Sequence, residues 1–198
     1  MKLCWLRGRQ EHRNVATLRF VRADVYAVPF HRAFDIVTAA RVLQWVGRPG
    51  DAVRALSEAV KPLGTLLVLD YDHEQLQWTP SPPASMRRFY SAFLRWRADA
   101  CMDNSIALHL ASVFESVGLT DIHVTPQLER TARGDSDFSS RVEIWADVAG
   151  TRGRQMVADG FLTETQRATA EADYREWVQS DAEAMTMYLL AVEGTRAR

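Results

Sequence analysis

The sequence predicts an α/β fold with a ligand crevice at its strand ends, and two segments carry that prediction. They are Phe34-Asp-Ile-Val-Thr-Ala-Ala-Arg-Val-Leu-Gln-Trp-Val46 and Lys61-Pro-Leu-Gly-Thr-Leu-Leu-Val-Leu-Asp70. In the first, an apolar run at Ile36 and Val37 gives way to small residues, where a ligand can approach the backbone. Pro49-Gly50-Asp51 then opens an amphipathic helix with Val53, Leu56 and Val60 on one face. Lys61-Pro62-Leu63-Gly64 stops it. Thr65 to Leu69 form an unbroken apolar run ending at Asp70, the pattern a parallel strand covered on both faces requires. Ligands of open α/β sheets bind beyond the carboxyl ends of the strands, here near Thr38 to Arg41 and near Asp70 to His73.

The remaining elements follow from periodicity and punctuation. Residues 1 to 13 read as the tail of a helix, and Leu18 to Asp24 alternate weakly, as a short strand would. Pro80-Ser-Pro-Pro83 is a hard break. Beyond it Met86, Phe89, Tyr90, Phe93 and Leu94 recur at helical spacing, with Arg87, Arg88, Arg95 and Arg97 elsewhere on the helix. A second helix runs from about Ser105 to Val117, capped by Asp103, Asn104 or Ser105 and ended by Gly118. Asp121 to Thr125 then form a strand. From Ser136 to Asp181 the pattern is helical, broken near Gly150 to Gly153 and at Gly160, with a capping box at Thr163 to Gln166. Met185 to Val192 form the closing strand.

Composition narrows the function classes. At 198 residues and 47% hydrophobic content, the chain is expected to bury one substantial core as a single domain. A formal net charge of −1 gives no reason to invoke nucleic acid. The first 32 residues are rich in basic side chains and Asp159 to Glu193 in acidic ones, as ordinary solvated faces or as a binding patch. Cys4 and Cys101 suit a reducing compartment, no apolar stretch reaches the ~18 residues of a membrane span, and the N-terminus is too short for a signal-peptide core. The expected setting is cytoplasmic. The five histidines are scattered, so no metal site follows from spacing. A phosphate loop, a nucleophile elbow and a Gly-x-Gly-x-x-Gly loop are absent from the sequence.

The positive candidates sit at strand ends. Asp24 can accept hydrogen bonds from a ligand amine or hydroxyl; equally, it is a turn-forming residue. Thr38, Ala39 and Ala40 can line a crevice or pack a helix closely. Asp70-Tyr71-Asp72-His73-Glu74 gathers carboxylates, a phenol and an imidazole past a buried strand. His73 there is either a general base with a pKa near neutrality or a solvated loop residue. Phe89, Tyr90, Phe93 and Trp96 either cover an apolar substrate as a lid or pack a core.

Taken together, the Phe34-Asp-Ile-Val, Arg41-Val-Leu-Gln-Trp-Val46 and Lys61-Pro-Leu-Gly-Thr-Leu-Leu-Val-Leu-Asp70 segments resemble the central block of class I S-adenosylmethionine-dependent methyltransferases, with closest similarity to the small-molecule branch that includes enzymes of quinone biosynthesis. Phe20 to Phe30 are similar to that family's third strand, Gly118 to Val124 to its sixth, and Tyr188 to Gly194 to its seventh. The resemblance implies a Rossmann-like sheet with helices on both faces, strand order 3-2-1-4-5-7-6, and S-adenosylmethionine as methyl donor. By position it implies that Asp24 and the Val25 backbone bind adenine, that Thr38, Ala39, Ala40 and Arg41 pack on the cofactor, and that Tyr71, Phe89, Tyr90 and Phe93 meet the acceptor. His73 would serve only where the acceptor must lose a proton. Leu63 stands where the family usually has glycine, a change expected to alter only a turn.

The family's first strand, with its Gly-x-Gly loop, and its second strand have no counterpart in the sequence. The expectation is an incomplete, N-terminally truncated methyltransferase domain over residues 1–198. Residues 80–104 and 136–181 are its helical cover and insertion, and the Leu18 to Val21 strand is detached or re-paired. The expected function is methyl transfer to a small-molecule acceptor in the full-length form, with weak or absent cofactor binding by this chain. The alternative is a non-catalytic remnant that acts as a partner or regulatory subunit.

Overall fold

The computed structural model describes residues 19–198. The helix tail expected over residues 1 to 13, and Leu18, lie outside them. In chain order the elements are β1 (Phe34–Ala40), a 3-10 turn (Leu43–Trp45), α1 (Pro49–Ala59), β2 (Val60–Thr79), α2 (Ala84–Asp99), α3 (Ile106–Ser116), β3 (Leu119–Pro126), β4 (Glu129–Ala132), α4 (Phe138–Val142), α5 (Ile144–Ala158), α6 (Glu164–Ser180) and β5 (Ala184–Arg196).

The sheet order is β1-β2-β5-β3, with β4 paired to the first part of β5. β1 and β2 run parallel, while β5 is antiparallel to both β2 and β3. This is the 4-5-7-6 half of the order implied by the resemblance. Among the described residues β2 is the only strand paired to β1.

Side-chain alternation along the strands divides the structure into two packed regions. Ala39, Leu66, Val68, Leu190 and Val192 face α1 and α3 and form one core with Val53, Ile106, Leu110 and Phe114. On the opposite side of β1, Ile36, Thr38 and Ala40 are exposed. A second core lies past the carboxyl end of β1. There β2 continues beyond Leu69, the partner of Ala40, to Thr79. Helices α2, α4, α5 and α6 pack around this extension through Met86, Phe93, Val142, Trp145, Tyr174 and Trp177.

The extension corrects the strand end expected at Asp70. The polar run Asp70 to Glu74 has the composition of a loop, but its polar groups are satisfied from outside the sheet. Pairing with β5 is irregular between Asp72 and Gln77. Across that gap the His73 backbone N–H donates to Asn104 O at 2.8 Å, and the His73 carbonyl accepts from the Tyr90 hydroxyl at 2.5 Å. The Asp72 carboxylate accepts from Ser105 Oγ at 2.9 Å. Helix α2 and the turn before α3 thus replace the missing ladder bonds.

Three further expectations change. Residues 19–23 form no strand; instead Asp24 to Ala27 close a tight turn, with Ala27 N–H donating to Asp24 O at 3.1 Å and Tyr26 N–H to Asp24 Oδ1 at 2.9 Å. Helix α5 runs straight through Gly150 and Gly153, because Gly153 lets it approach its neighbours: a Cβ there would lie 2.9 Å from Arg167 Cγ and 3.0 Å from Phe89 Cε2. β4 had no sequence signal, since Glu129-Arg-Thr-Ala132 is short and polar. The capping box is present as expected: Gln166 N–H donates to Thr163 Oγ1 at 3.2 Å and Thr163 N–H to Gln166 Oε1 at 2.8 Å.

Lys61 to Gly64 bulge from β2 opposite Asp35, between the pairs Phe34–Val60 and Ile36–Thr65. Leu63, exposed, holds a left-handed φ of 64°. A Cβ at Gly64 would lie 2.6 Å from Asp35 O. Two outcomes in urea unfolding follow. Leu63→Gly removes the left-handed strain and raises stability by about 0.5–1 kcal/mol. Gly64→Ala forces the β1–β2 contact apart and lowers it by about 2 kcal/mol or more. Equal stabilities for the three proteins would contradict this reading of the turn.

Candidate functional site

The chain leaves β1 at Arg41, whose φ of 59° is left-handed and whose N–H donates to Leu69 O at 2.8 Å. It turns at once into the 3-10 segment, and the buried carboxylate of Asp70 receives that segment's leading amides. Asp70 Oδ2 accepts from Leu43 N–H at 2.8 Å and Gln44 N–H at 3.1 Å, and Oδ1 accepts from Tyr71 N–H at 3.0 Å. Burial pushes the Asp70 pKa up, and the three backbone bonds and the Arg97 charge oppose that rise.

Gln44 ties this loop to two further buried side chains. Its Oε1 lies 2.7 Å from His73 Nε2, so His73 donates there and carries its proton on Nε2. Its main-chain carbonyl accepts from Arg97 Nη2 at 2.8 Å. Arg97 also donates from Nε to Asn104 Oδ1 at 2.8 Å, and its guanidinium carbon sits 5.2 Å from the Trp45 ring centre and 5.4 Å from that of Phe93. Arg97 Nη1 has no hydrogen-bond partner, and burial lowers the Arg97 pKa to about 10. A guanidinium with that pKa is charged at neutrality. Burial first, and Arg97 second, hold His73 at a pKa of about 3, far from the neutral value expected of a loop base.

Beside this network a cavity of about 280 Å³ opens at the same strand ends. Its walls include Arg41 from the end of β1, Tyr71 from β2, Glu129 from β4, Arg141 from α4, and Met185 and Met187 from β5. Arg41 forms an ion pair with Glu129, and its guanidinium carbon lies 5.2 Å from the Tyr71 ring centre. Burial, then the Glu129 charge, push the Tyr71 phenol up to about 12, so it is protonated at neutrality and can donate. Arg141 is paired with Asp137.

The structure brings Arg41 and Tyr71 together on one cavity and distributes the other candidates around it. Asp24 is exposed in its turn, and Val25 packs on the sheet core. That turn is docked at the start of α1: Arg48 N–H donates to the Tyr26 hydroxyl at 3.3 Å, and the Arg48 guanidinium lies 4.5 Å from the Tyr26 ring centre. Thr38 and Ala40 are exposed on β1, and Ala39 is buried against the α1 side. Tyr90 and Phe93 pack behind His73 in the helical core, with Phe93 5.8 Å from its ring, while Phe89 faces a different cavity beside α6. Among the described residues no group of His, Cys, Asp and Glu is placed to hold a metal ion, and no helix is long and apolar enough to cross a membrane.

Gln44, Glu129, Arg141, Met185 and Met187 were not singled out by sequence reasoning, and Arg97 was expected elsewhere on its helix than the apolar stripe. The structure corrects that placement, and a signal for it existed: Arg97 continues the Met86, Tyr90, Phe93 stripe by one further turn and is fully buried. Glu129 and Arg141 had none, because β4 itself was unmarked.

Two measurements check the network. Asp70→Ala strands three buried amides and lowers stability by about 3 kcal/mol in denaturant unfolding. His73 binds its proton more weakly folded than unfolded, so the stability it permits is complete above the ordinary histidine value of 6.5 and drains away as pH falls toward about 3. Between pH 7 and pH 5 the native protein therefore loses about 2 kcal/mol more than His73→Gln. Parallel pH profiles for the two proteins would contradict the buried, neutral imidazole.

Residues 2–68 match the family model described as "Methyltransferase domain". The chain is 43% identical over 67 residues to the ubiquinone/menaquinone biosynthesis C-methyltransferase UbiE of Azotobacter vinelandii, a match covering 33% of this chain and 26% of the relative. The corresponding protein of Edwardsiella ictaluri is 38% identical over 72 residues, 34% of this chain and 29% of that protein. The matches therefore span little more than a quarter of the curated relatives' length. Among solved structures, the YcgJ protein of Bacillus subtilis aligns with a TM-score of 0.57 at 14% identity, over 98% of this chain and 76% of its own. A Bacillus halodurans protein assigned as a methyltransferase aligns with a TM-score of 0.55 at 12% identity, over 100% and 80%. Over residues 2–68 the chain is thus similar in sequence to the methyltransferase domain, and its fold is similar to that of these solved structures.

Proposed function

We propose that the chain takes part in methyl transfer from S-adenosylmethionine to a small-molecule acceptor, and that the acceptor lies in the strand-end cavity of Arg41, Tyr71 and Glu129. One observation carries this reading. The cavity sits past the carboxyl end of β1, where its parallel ladder with β2 stops, and beside the extension of β2 under the helical cover; an open α/β sheet places its ligand beyond such strand ends. Helices α2 and α4 to α6 are the acceptor cover in this reading.

The donor-side residues fit in part. Asp24 offers an exposed carboxylate beside the docked Tyr26 turn, suited to an adenine amino group, and Thr38, Ala40 and Arg41 are exposed along β1. Among the described residues these groups form a single wall, and in this reading the chain holds the donor weakly by itself. When bound, the donor supplies a methyl group on a sulfonium. The chain's own contribution is positioning and the exclusion of water. Tyr71 donates a hydrogen bond to the acceptor, Glu129 accepts the proton an acceptor hydroxyl gives up, and Met185 and Met187 grip an apolar or aromatic body. His73, neutral and occupied with Gln44, is a positioning residue for the loop after β1.

A second reading, that the chain serves as a non-catalytic partner subunit, is favoured by the outward side of β1, where Ile36 is 65% exposed. Light scattering after size exclusion separates the two: a clean monomer that retains no partner counts against the subunit.

Calorimetric titration of residues 1–198 with S-adenosylmethionine is expected to give a dissociation constant weaker than about 1 mM. Micromolar binding would overturn the one-walled donor site. In ligand-observed NMR, small phenols are expected to bind the native chain, and Met187→Trp, which fills the cavity, abolishes that binding. Unchanged binding by the filled variant would place the acceptor elsewhere.

A further inference from the structure

A second and larger cavity, of about 540 Å³, lies away from the strand ends, between α2 and the first half of α6. Its composition is amphipathic. The floor is Phe89, Ala92, Phe161 and Leu162. Along α2, Arg88, Ser91, Ala92 and Arg95 recur at i, i+3, i+4 and i+7, which aligns two arginines on one rim. Helix α6 supplies Thr165 and Thr169, one turn apart, to the opposite rim.

Neither arginine of that rim is paired. Arg88 and Arg95 form no hydrogen bond or ion pair with any described residue. The acids nearby are already engaged: Glu164 and Glu171 both pair with Arg167, Asp173 accepts from Ser85 Oγ at 2.6 Å, and Asp159 accepts from Trp96 Nε1 at 2.8 Å. Arg87, the third arginine, donates to Pro82 O at 2.7 Å. Two guanidinium groups and two hydroxyls thus border an apolar floor, in a volume within the ~300–1,000 Å³ of small-molecule sites. Guanidinium forks match carboxylate, sulfonate and phosphate groups, and the floor favours an apolar body.

We propose that the groove between α2 and α6 is a second ligand site for a free anionic amphiphile, a small molecule with one carboxylate, sulfonate or phosphate on an apolar body. Its head group spans Arg88 and Arg95, with Thr165 and Thr169 donating from across the groove, and its body lies on Phe89, Phe161 and Leu162. The site shares no lining residue with the strand-end cavity and does not depend on the methyl-transfer reading.

The test uses two fluorescent probes of similar body and different charge, the sulfonate 1-anilinonaphthalene-8-sulfonate and the neutral N-phenyl-1-naphthylamine. The native chain is expected to bind the sulfonate saturably at one site and to release it to dodecanoate. The double variant Arg88→Gln/Arg95→Gln, with its near-ultraviolet circular dichroism unchanged because both side chains are exposed, is expected to bind the sulfonate about tenfold more weakly and the neutral probe within about twofold of the native chain. Arg88→Glu/Arg95→Glu weakens the sulfonate further. Equal sulfonate affinity in the native and Gln variants, or no saturable binding by the native chain, would overturn the proposal. So would retention on phosphatidylglycerol vesicles without binding of the free anions.

Discussion

The buried carboxylate of Asp70, accepting the amides of Leu43, Gln44 and Tyr71, is the contact around which the strand-end site is organised. A 3-10 turn leaves its leading N–H groups without internal partners, and here they point into a space closed to water. An apolar residue at position 70 would leave them unsatisfied. With Asp70 in place, the chain emerging from β1 is fastened to β2 one residue beyond the last pair of the parallel ladder, Ala40 with Leu69. The path from Arg41 to Trp45 then has little freedom, which places Arg41 against Tyr71 and brings Gln44 within reach of His73 and Arg97.

Such an arrangement has an electrostatic cost, and the helical layer offsets it. Asp70 and Arg97 are both fully buried and share no direct ion pair; they are linked through the peptide groups of the turn, with Asp70 at its amides and Arg97 at the Gln44 carbonyl. Rings of Trp45 and Phe93 flank the guanidinium. His73 completes the set as a neutral donor. A protonated imidazole beside Arg97 would put two like charges in the same apolar surroundings, and this is one reason its pKa lies so low. The side chain with the most familiar catalytic chemistry thus holds the loop, while Tyr71, Glu129 and Arg41 line the cavity beside it.

How much of this was legible in the sequence depends on where the information resides. The β1–α1–β2 unit was readable because its signals are local: an apolar run, a helix with one apolar face, a Pro-Gly stop. The order β1-β2-β5-β3 came with the family resemblance. The continuation of β2 was not readable, since Asp70 to Glu74 have loop-like composition and many of the groups that satisfy them, among them Leu43, Gln44, Asn104, Ser105 and Tyr90, are distant in sequence. Asp24 was read as either a ligand-binding or a turn residue, and the fold shows the turn. Leu63 was expected to alter only a turn, and it lies in one at positive φ. The cavity wall at Glu129 escaped notice because a four-residue polar strand, paired to the far end of the chain, leaves no periodic trace.

The most direct test of the account is amide hydrogen exchange at Leu43 and Gln44 in the native protein and in Asp70→Ala. The account predicts strong protection of both amides in the native protein, and loss of that protection in the variant while the amides of α1 and α3 stay protected. Undiminished protection at Leu43 and Gln44 in the variant would contradict it, because the turn would then hold its shape without the carboxylate and the strand-end site would rest on some other contact.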